Sequence, residues 1–262
     1  MTDQIVTPDS RRNGIQVVAR VGELLRALER APAGLTLSEL AGDLGMPKST
    51  VHRLISALEA EEFVTPARLG RVRLGRGIAR LGAATRGGLR EQLRPFLIRL
   101  QQDVDETVDL SVVDGTTIRF IDQVAAPHRL RAVSAVGAAF PLHCTANGKA
   151  LLAAMPEEQV RALLPARLPA LTANTITNRK DLWQELEEIR VSGVALDREE
   201  HSLGICAVGA AVWDPYGPVA AMSIPVPALR FEGNESRLGD ALVRVTRECS
   251  EQLGAQPVPA RS

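Results

Sequence analysis

Five hydrogen-bonding side chains lie in the first turns of a predicted helix, and three of them, Ser49, His52 and Arg53, share its polar face. At about 100° per residue, Val51, Ile55 and Leu58 line the opposite face, which can pack against a neighbour. A helix in a DNA major groove reads base edges through donors in its first turns, and the planar fork of Arg53 can reach two acceptors of a guanine. The predicted DNA contacts are Lys48, Ser49, Thr50, His52 and Arg53. Taken one by one, these residues also fit the solvated face of an ordinary surface helix.

The residues before this helix indicate that it is the second of a pair joined by a tight turn. Thr36 or Ser38 is a candidate N-cap for a short first helix, whose apolar residues recur at helical spacing. Gly45 can adopt the positive φ that ends such a helix sharply. Pro47 suits the start of the second helix, because amides in a first turn have no intrahelical partner. The pattern predicts a helix-turn-helix.

Two further elements of the N-terminal part support contact with nucleic acid. Residues 15 to 28 place apolar side chains on one stripe of a preceding helix, which can cover the helix pair. Gly70 lies between two short extended segments, which predicts a small β-wing whose arginines can meet phosphates or a minor groove. The arginines of this wing are Arg68, Arg71 and Arg73.

Charge is distributed unevenly along a chain that is neutral as a whole, with 31 basic and 31 acidic side chains. Residues 1 to 88 carry 13 basic and 9 acidic side chains, and the remainder carries 18 and 22. This modest asymmetry indicates that only the N-terminal part faces a polyanion. No apolar run approaches the roughly 20 residues that cross a bilayer, and residues 1 to 12 are polar rather than a secretory signal. We therefore expect a cytoplasmic protein.

Four residues of the C-terminal part have the chemistry of a reactive thiol or a metal site: His143, Cys144, His201 and Cys206. Adjacent side chains such as His143 and Cys144 usually diverge, and no third orienting group follows at a recognisable spacing. Three widely spaced cysteines without a CxxC pair indicate neither a disulfide framework nor a zinc finger. We expect no enzyme and no cofactor, and we keep a metal-binding or catalytic thiol protein as the alternative function.

The C-terminal part alternates hairpins with helices. Apolar alternation around Asp114-Gly115 predicts one β-hairpin, and residues 214 to 217 fit the turn of a second, between strands at 205–212 and 219–226. Thr177 is a candidate cap for a long helix that ends at Gly193. The remaining expected elements are a helix over 77–105 broken near Gly87-Gly88 and Pro95, a strand at 130–136, helices at 146–155 and 156–164, and a final helix containing Leu238, Leu242 and Val245. This order predicts an α+β domain with a largely antiparallel sheet.

Three segments together resemble the IclR family of bacterial transcription regulators, across nearly the whole chain. They are LSELAGDLGMPKSTVHRLISALEAEEFV at 37–64, PLHCTANGKALLAAMP at 141–156 and SGVALDREEHSLGICAVGAAVWDPYGPVAAMSIPVP at 192–227. A helix-turn-helix alone is generic, because many unrelated regulators carry one. The other two segments, in that order behind it, are much more specific.

The resemblance implies a winged helix-turn-helix joined by a helix to a GAF-like effector domain, working as a homodimer or a dimer of dimers. It also implies a small organic acid or aromatic breakdown product as effector, with repressors and activators sharing one layout. Carried over by position, the effector residues are Ala146, Asn147, Asp197, Cys206, Ala207 and Ser223. A cysteine that some members place in the cavity aligns with Ala207. A single step on a strand reverses the side chain's face, so Cys206 can point away from the ligand.

Physical chemistry gives a parallel interpretation of the segment around the predicted helix at 146–155. Thr145 is a candidate cap there, and the unpaired amides and positive dipole end of the helix favour a carboxylate ligand beside Asn147. Thr145 could equally be only a cap, and Gly148 only a site of close packing. Asp197 also fits an exposed charge at a strand end, and the Ser223 hydroxyl fits a bond to backbone as well as a cavity.

These interpretations combine into one expected organisation. A terminal arm at 1–12 precedes a winged helix-turn-helix domain at 13–76, a linker helix at 77–105 and an effector domain at 106–256. The expected function is a ligand-responsive, DNA-binding transcriptional regulator of a catabolic operon. Its partners are double-stranded operator DNA, a small carboxylic or aromatic acid and a second copy of the chain, without a membrane.

Overall fold

The computed structural model describes residues 8–65, 70–132 and 134–255, with side chains described outside 8–15 and 83–87. The chain divides into two compact units, Met1–Gly87 and Gly88–Ser262. Helix α1 begins at Pro8, so residues 8 to 12 are helical and not part of the arm expected at 1–12. Proline is favourable in the first turn of a helix, which accounts for this start. Residues 1 to 7 of that arm lie outside the described range.

The first unit is a small helical domain with a three-stranded antiparallel sheet. The sheet has the order β1-β3-β2. A single apolar core includes Leu24 of the first helix, Leu40 of the second and Ile55 of the third, all nearly inaccessible to solvent. The elements are α1 (Pro8–Glu29), β1 (Leu35–Thr36), α2 (Leu37–Asp43), α3 (Lys48–Ala60), β2 (Val64–Thr65), β3 (Arg71–Leu74) and α4 (Arg76–Val104), which continues into the second unit.

The helix-turn-helix forms as the sequence predicts. Thr36 caps α2 through a capping box, in which its hydroxyl accepts from the Glu39 amide at 3.2 Å and its own amide donates to Glu39 Oε2 at 2.7 Å. Gly45 adopts φ 59° in the turn, where a side chain would be strained. Pro47 is the N-cap immediately before α3, rather than its first helical residue.

The second unit contains a six-stranded sheet in which every paired strand is antiparallel. Its order is β6-β5-β4-β9-β8-β7. The elements after α4 are β4 (Val108–Asp114), β5 (Thr117–Val124), β6 (Ala139–Pro141), a 3₁₀ turn (Leu142–Cys144), α5 (Ala146–Ala154), α6 (Glu157–Leu163), α7 (Arg179–Ser192), β7 (Ala195–Arg198), β8 (Ile205–Asp214), β9 (Gly217–Pro227), α8 (Ala228–Phe231) and α9 (Glu235–Gln252). The predicted α+β class and both predicted hairpins are confirmed.

Helices cover both faces of the six-stranded sheet. On one face, a core joins Leu97 of α4 and Leu242 of α9 to inward side chains of β4, β8 and β9. On the other face, a second core joins Leu151 of α5, Val160 of α6 and Leu186 of α7 to the sheet. Successive side chains of a strand point to opposite faces, so each strand supplies both cores. Among the described residues, no helix combines the length and the apolar character needed to cross a membrane.

Three sequence expectations for the second unit are corrected. The described residues within 130–136 form no strand. The strand that pairs with β5 is β6, which follows them in the chain, and the Ser134 carbonyl accepts a hydrogen bond from the Gln123 side chain instead. Asn178, not Thr177, caps α7, since its side chain accepts from the Lys180 amide at 2.8 Å. Helix α4 runs without interruption through Pro95, because buried leucines on either side of this proline hold the helix against the sheet.

Candidate functional site

The exposed face of α3 carries the side chains that the sequence selects for DNA contact. Lys48, Ser49, His52 and Arg53 are exposed, and Thr50 is half-buried, while the opposite face of the helix is buried in the core. Within the described part of the chain, neither Lys48 nor Arg53 forms an ion pair. The side chain of Pro47 makes no cap, so the first amides of α3 keep the unpaired donors of a helix N-terminus. The face therefore presents cations, hydroxyls and backbone donors together.

The two described arginines of the wing differ from Arg53 of α3, because both form hydrogen bonds within the first unit. Arg71 donates to the Gly34 carbonyl at 2.8 Å and pairs with Glu39 at 3.3 Å. Arg73 donates to the Ala33 carbonyl at 3.1 Å. Both side chains remain exposed, and a guanidinium has five donors, so donors are left over for a phosphate. Arg68, the third predicted wing contact, lies outside the described residues.

A cavity of about 250 Å³, here called the sheet cavity, lies against one face of the six-stranded sheet. It is bounded by the sheet, by the start of α5 and by the segments around residues 131–134 and 201–202. Six of the seven residues selected from the sequence line it: Thr145, Ala146, Asn147, Asp197, Ala207 and Ser223. The structure thus brings together residues separated by up to 78 positions in the chain.

Strand register explains which side chains reach the sheet cavity. Asp197 pairs with Ala207, which pairs with Pro225, and residues in cross-strand register share a face. Cys206 is one residue earlier and therefore points to the other face, where it joins the core under α4 and α9. Cys206 does not line the cavity, so its placement among the effector residues is wrong. Burial raises the pKa of its thiol.

The N-terminus of α5 closes one side of the sheet cavity. Thr145 caps the helix, because its hydroxyl accepts from the Gly148 amide at 3.2 Å and donates to the Pro141 carbonyl at 3.0 Å. Asn147 donates to Ser111 Oγ of β4 at 2.8 Å. A Cβ on Gly209 of β8 would lie 2.4 Å from the carbonyl carbon of Ala146, so glycine is needed for this close approach. The first amides of α5 are thereby held directly over the sheet.

Two buried aspartates face the sheet cavity. Asp197 accepts from the Glu200 amide at 2.8 Å, and burial raises the pKa of its carboxyl to about 7. Asp109 of β4, which the sequence interpretation missed, pairs with Ser223 in the register of β9 and also has a pKa raised to about 7 by burial. An acidic residue within the apolar alternation of TVDLSVV was the signal that could have found it. Neither aspartate forms an ion pair with any residue that the structure describes.

An aromatic wall completes the sheet cavity, and the sequence interpretation missed this too. The rings of Phe120 and Phe140 meet edge to face with centroids 5.0 Å apart. His201 stacks on Phe140 at 4.1 Å, and its Nδ1 lies 2.9 Å from Ser202 Oγ. Burial lowers the pKa of His201, which favours the uncharged ring. All three rings line the cavity, so it offers flat apolar surface beside the two carboxyls.

A buried lysine fixes the helix that carries the cavity's N-terminal amides. The Lys149 side chain is fully buried and pairs with Glu185 of α7 and, at 2.5 Å, with Glu200. Burial raises the pKa of Glu200, and the charge of Lys149 opposes that rise. Glu200 in turn donates its amide to Asp197. Lysine is rarely buried without a partner, so this triad locks α5 to α7 and to the turn after β7.

The four residues considered for thiol or metal chemistry serve separate contacts. His143 Nε2 lies 3.0 Å from the Pro169 carbonyl, and His201 stacks on Phe140. Burial raises the pKa of the Cys144 thiol to about 12, so it is held as the unreactive thiol. Among the described residues, no group of three or more histidine, cysteine or acidic side chains is arranged to hold a metal ion.

Comparison with known proteins gives the same two-part organisation. Residues 17–67 match the IclR helix-turn-helix domain, and residues 82–255 match the bacterial transcriptional regulator IclR C-terminal domain. The HTH-type transcriptional regulator Rv1719 of Mycobacterium tuberculosis is 52% identical over 236 residues, which cover 90% of this chain and 91% of that protein.

Solved structures show the same fold. The IclR of Thermotoga maritima superposes with a TM-score of 0.62 at 31% identity, covering 92% of this chain and 99% of that one. An IclR homologue from Microbacterium hydrocarbonoxydans, complexed with 4-hydroxybenzoate, superposes with a TM-score of 0.60 at 21% identity, covering 92% and 100%. Because both parts of the chain match, and because its relatives are DNA-binding regulators rather than enzymes, the chain belongs to the IclR family of bacterial transcriptional regulators.

Proposed function

We propose that this regulator controls a catabolic operon in the bacterial cytoplasm and responds to a small organic or aromatic acid bound in the sheet cavity. The observation that carries the proposal is the cavity itself, since residues from four segments meet around 250 Å³ of space in the domain behind the helix-turn-helix. The proposed boundaries are 13–76 for DNA binding, 77–105 for the linker helix and 106–256 for effector binding.

On the DNA side, α3 is the proposed reading helix. Its exposed donors are free for base edges, with Arg53 as the preferred contact to a guanine. Lys48, Ser49, Thr50 and His52 lie in the first turns of the same helix and supply the remaining contacts. Arg71 and Arg73 of the wing, together with Arg68, meet phosphates and add affinity that falls as salt rises.

On the effector side, the start of α5 is the proposed acid-binding end of the sheet cavity. Unpaired first-turn amides and the helix dipole favour a carboxylate beside Ala146 and Asn147. Arg131 also lines the cavity and adds a positive charge. Thr145 positions these amides as the cap, and Asp197, Ala207 and Ser223 form the floor.

Regulation follows from two states with different affinity for the operator. In a homodimer or a dimer of dimers, two reading helices bind paired half-sites, and a ligand that prefers one state shifts the population toward it. The shift is limited by the difference in the ligand's affinity for the two states.

The DNA part is tested by fluorescence anisotropy with the upstream intergenic DNA at two salt concentrations. Arg53→Ala should lose roughly 1 to 3 kcal/mol of binding free energy and relax sequence choice at one position. Arg247→Ala, a matched change at an exposed residue of α9, should bind like the unaltered protein. Unchanged affinity of Arg53→Ala for every operator variant would refute the assignment of Arg53, and no binding at low salt would refute the function.

The effector part is tested on the same DNA with candidate ligands added. Ser223→Ala and Asp197→Ala should bind DNA with unchanged affinity and respond to a different ligand concentration, because both residues line the cavity and neither is on α3. Full retention of the wild-type response by both variants would count against the cavity as the effector site.

A further inference from the structure

Strand β5 contains a β-bulge beside the sheet cavity. Leu110 of β4 pairs with Asp122, but the next residue of β4 pairs with Phe120, so Ile121 is an extra residue of β5. A bulge of this kind changes the direction of side chains and interrupts the hydrogen-bond ladder locally. Asp122 shares a face with Leu110, which packs under α4 and α9, whereas Gln123 is on the cavity face. Two adjacent residues of β5 therefore lie on opposite sides of the sheet.

On the cavity side, Gln123 links two parts of the cavity lining. Its Nε2 donates to Asp109 Oδ1 and to the Ser134 carbonyl, both at 2.6 Å. The Ser134 side chain is also bonded to Asp109. Asp109 and Ser134 both line the sheet cavity, and Ser134 belongs to the segment at 131–134 that bounds it. A change in the position of this segment therefore acts directly on the Gln123 side chain.

On the other side of the sheet, Asp122 holds helix α4. Its side chain is 2% exposed, and Oδ1 accepts from Arg94 Nη1 at 2.5 Å and lies 3.6 Å from Arg90 Nε. Among the described residues, Asp122 is the only strand residue whose side chain forms an ion pair with α4. The Gln123 amide donates to the same Oδ1 at 2.9 Å. One oxygen thus joins the helix to the residue on the cavity side.

We propose that Asp122 is the positioning residue through which the state of the sheet cavity alters α4 and, with it, operator binding. The inference rests on the proposed function of the cavity as the effector site. A ligand that displaces the 131–134 segment or binds Ser134 changes the hydrogen bonds of Gln123. Because the ladder is interrupted at the bulge, less energy opposes a turn of the peptide between Asp122 and Gln123 than in a regular strand. Such a turn moves the carboxylate that holds Arg94.

The exposure of the two arginines provides two arrangements of α4. Arg90 and Arg94 are each about half exposed, so one guanidinium can exchange the carboxylate for water while the other keeps Asp122 paired. The two arrangements then differ by one partly exposed ion pair, a small free-energy difference that a ligand can overcome. Helix α4 begins at Arg76 in the first unit, so a change at Arg94 acts on the DNA-binding part through one continuous helix.

The test measures hydrogen exchange by mass spectrometry on the full-length protein without any ligand. Gln123→Met keeps the length of the side chain but cannot donate to Asp109 or Ser134. Exchange in residues 88–97 of α4 should become about 3- to 10-fold faster, the range expected from the loss of one hydrogen bond, while α9 should not change. A role confined to the cavity lining would speed exchange only around Ser134. Gln184→Met, the same change at an exposed residue of α7, should leave α4 unaffected.

Asp122→Ala removes the proposed connection. Exchange in α4 should be faster in this variant as well, and adding Gln123→Met should change it by less than about twofold, since effects along one connection are not additive. Glu248→Ala, which removes the partner of Arg99 on the same helix, should leave the full effect of Gln123→Met. If Asp122→Ala does not fold, Asp122→Asn replaces it, because it keeps the shape without the charge, and the effect of Gln123→Met should be smaller in that background.

Operator affinity of the same proteins, measured by fluorescence anisotropy, connects this contact to regulation. Gln123→Met and Asp122→Ala should change it in the same direction by about fivefold or more, the lower end of usual coupling between sites. Unchanged exchange of α4 in Gln123→Met, additive effects in the double variant, or unchanged operator affinity in both variants would each overturn the proposal. If the unaltered protein binds no operator DNA, the proposed function is wrong, a result on which the exchange measurements do not depend.

Discussion

Replacing Asp109 by asparagine should make the second unit more stable at neutral and alkaline pH. Burial raises the pKa of this carboxyl from 3.8 to about 7, so the folded protein holds a proton that the unfolded chain releases. Below the unfolded pKa, both states are protonated and burial of the carboxyl costs little. As pH rises toward 7, the unfolded state loses its proton first and unfolding becomes more favourable.

The size of the effect follows from the pKa difference. A difference of about 3 units at about 1.4 kcal/mol each corresponds to an upper bound of about 4 kcal/mol, reached above pH 7. Asparagine cannot ionise and keeps the bond from Gln123. The stability difference between Asp109→Asn and the unaltered protein should therefore grow from pH 4 to pH 8. The pKa values of Asp197 and Glu200 are also raised, but both residues are present in the two proteins, so their contributions to the stability difference largely cancel.

Urea unfolding followed by tryptophan fluorescence measures this difference. Trp183 and Trp213 are the two tryptophans of the chain, and both lie in the second unit, so the signal reports on that unit. Asp240→Asn removes an exposed carboxyl and should follow the unaltered protein at every pH. If Asp109→Asn also follows it at every pH, the carboxyl is not buried in its unpaired form and the reasoning fails.

Three further changes test the packing around the sites. Lys149→Met should cost roughly 3 to 5 kcal/mol in urea unfolding because it leaves the buried Glu200 carboxylate unpaired, and adding Glu200→Gln should recover part of that loss; no recovery would contradict the pairing. Thr36→Ala should lower the thermal stability of the first unit by about 1 kcal/mol, whereas Ser38→Ala should not, and equal losses would argue against Thr36 as the cap. Gly209→Ala should cost roughly 1 to 3 kcal/mol, since its Cβ would lie 2.4 Å from backbone of α5, and a neutral result would show that the helix can move away.

Local signals predicted the helix-turn-helix well because each decisive residue acts within a few positions of itself. Thr36 needs only the amide of Glu39 three residues on, and Gly45 needs only its own positive φ. The hairpin at Asp114-Gly115 is local in the same sense. The prediction of Thr177 as the cap of α7 was wrong by one residue, because the side-chain oxygen of the adjacent Asn178, nearer the helix, makes the cap.

The chemistry of the sheet cavity could not be predicted in the same way, because it depends on which strands pair. Alternation shows that Asp109 and Leu110 face opposite sides of β4, but it does not show which side receives α5 and which receives α4 and α9. The pairing of Asp109 with Ser223, 114 residues later in the chain, determines which face of β4 lies under α5. The family resemblance supplied residues from β7, β8, β9 and α5, and register then separates Ala207 from Cys206.

The same register gives the sheet cavity its polarity. Asp109 and Ser223 lie side by side on β4 and β9, and Gly209 continues that row on β8, under the first turn of α5. Because Gly209 has no side chain, the first-turn amides of α5 lie directly on the sheet beside the Asp109 carboxyl, with no layer of side chains between them. A donor surface and a buried acceptor are thus held next to each other by backbone alone.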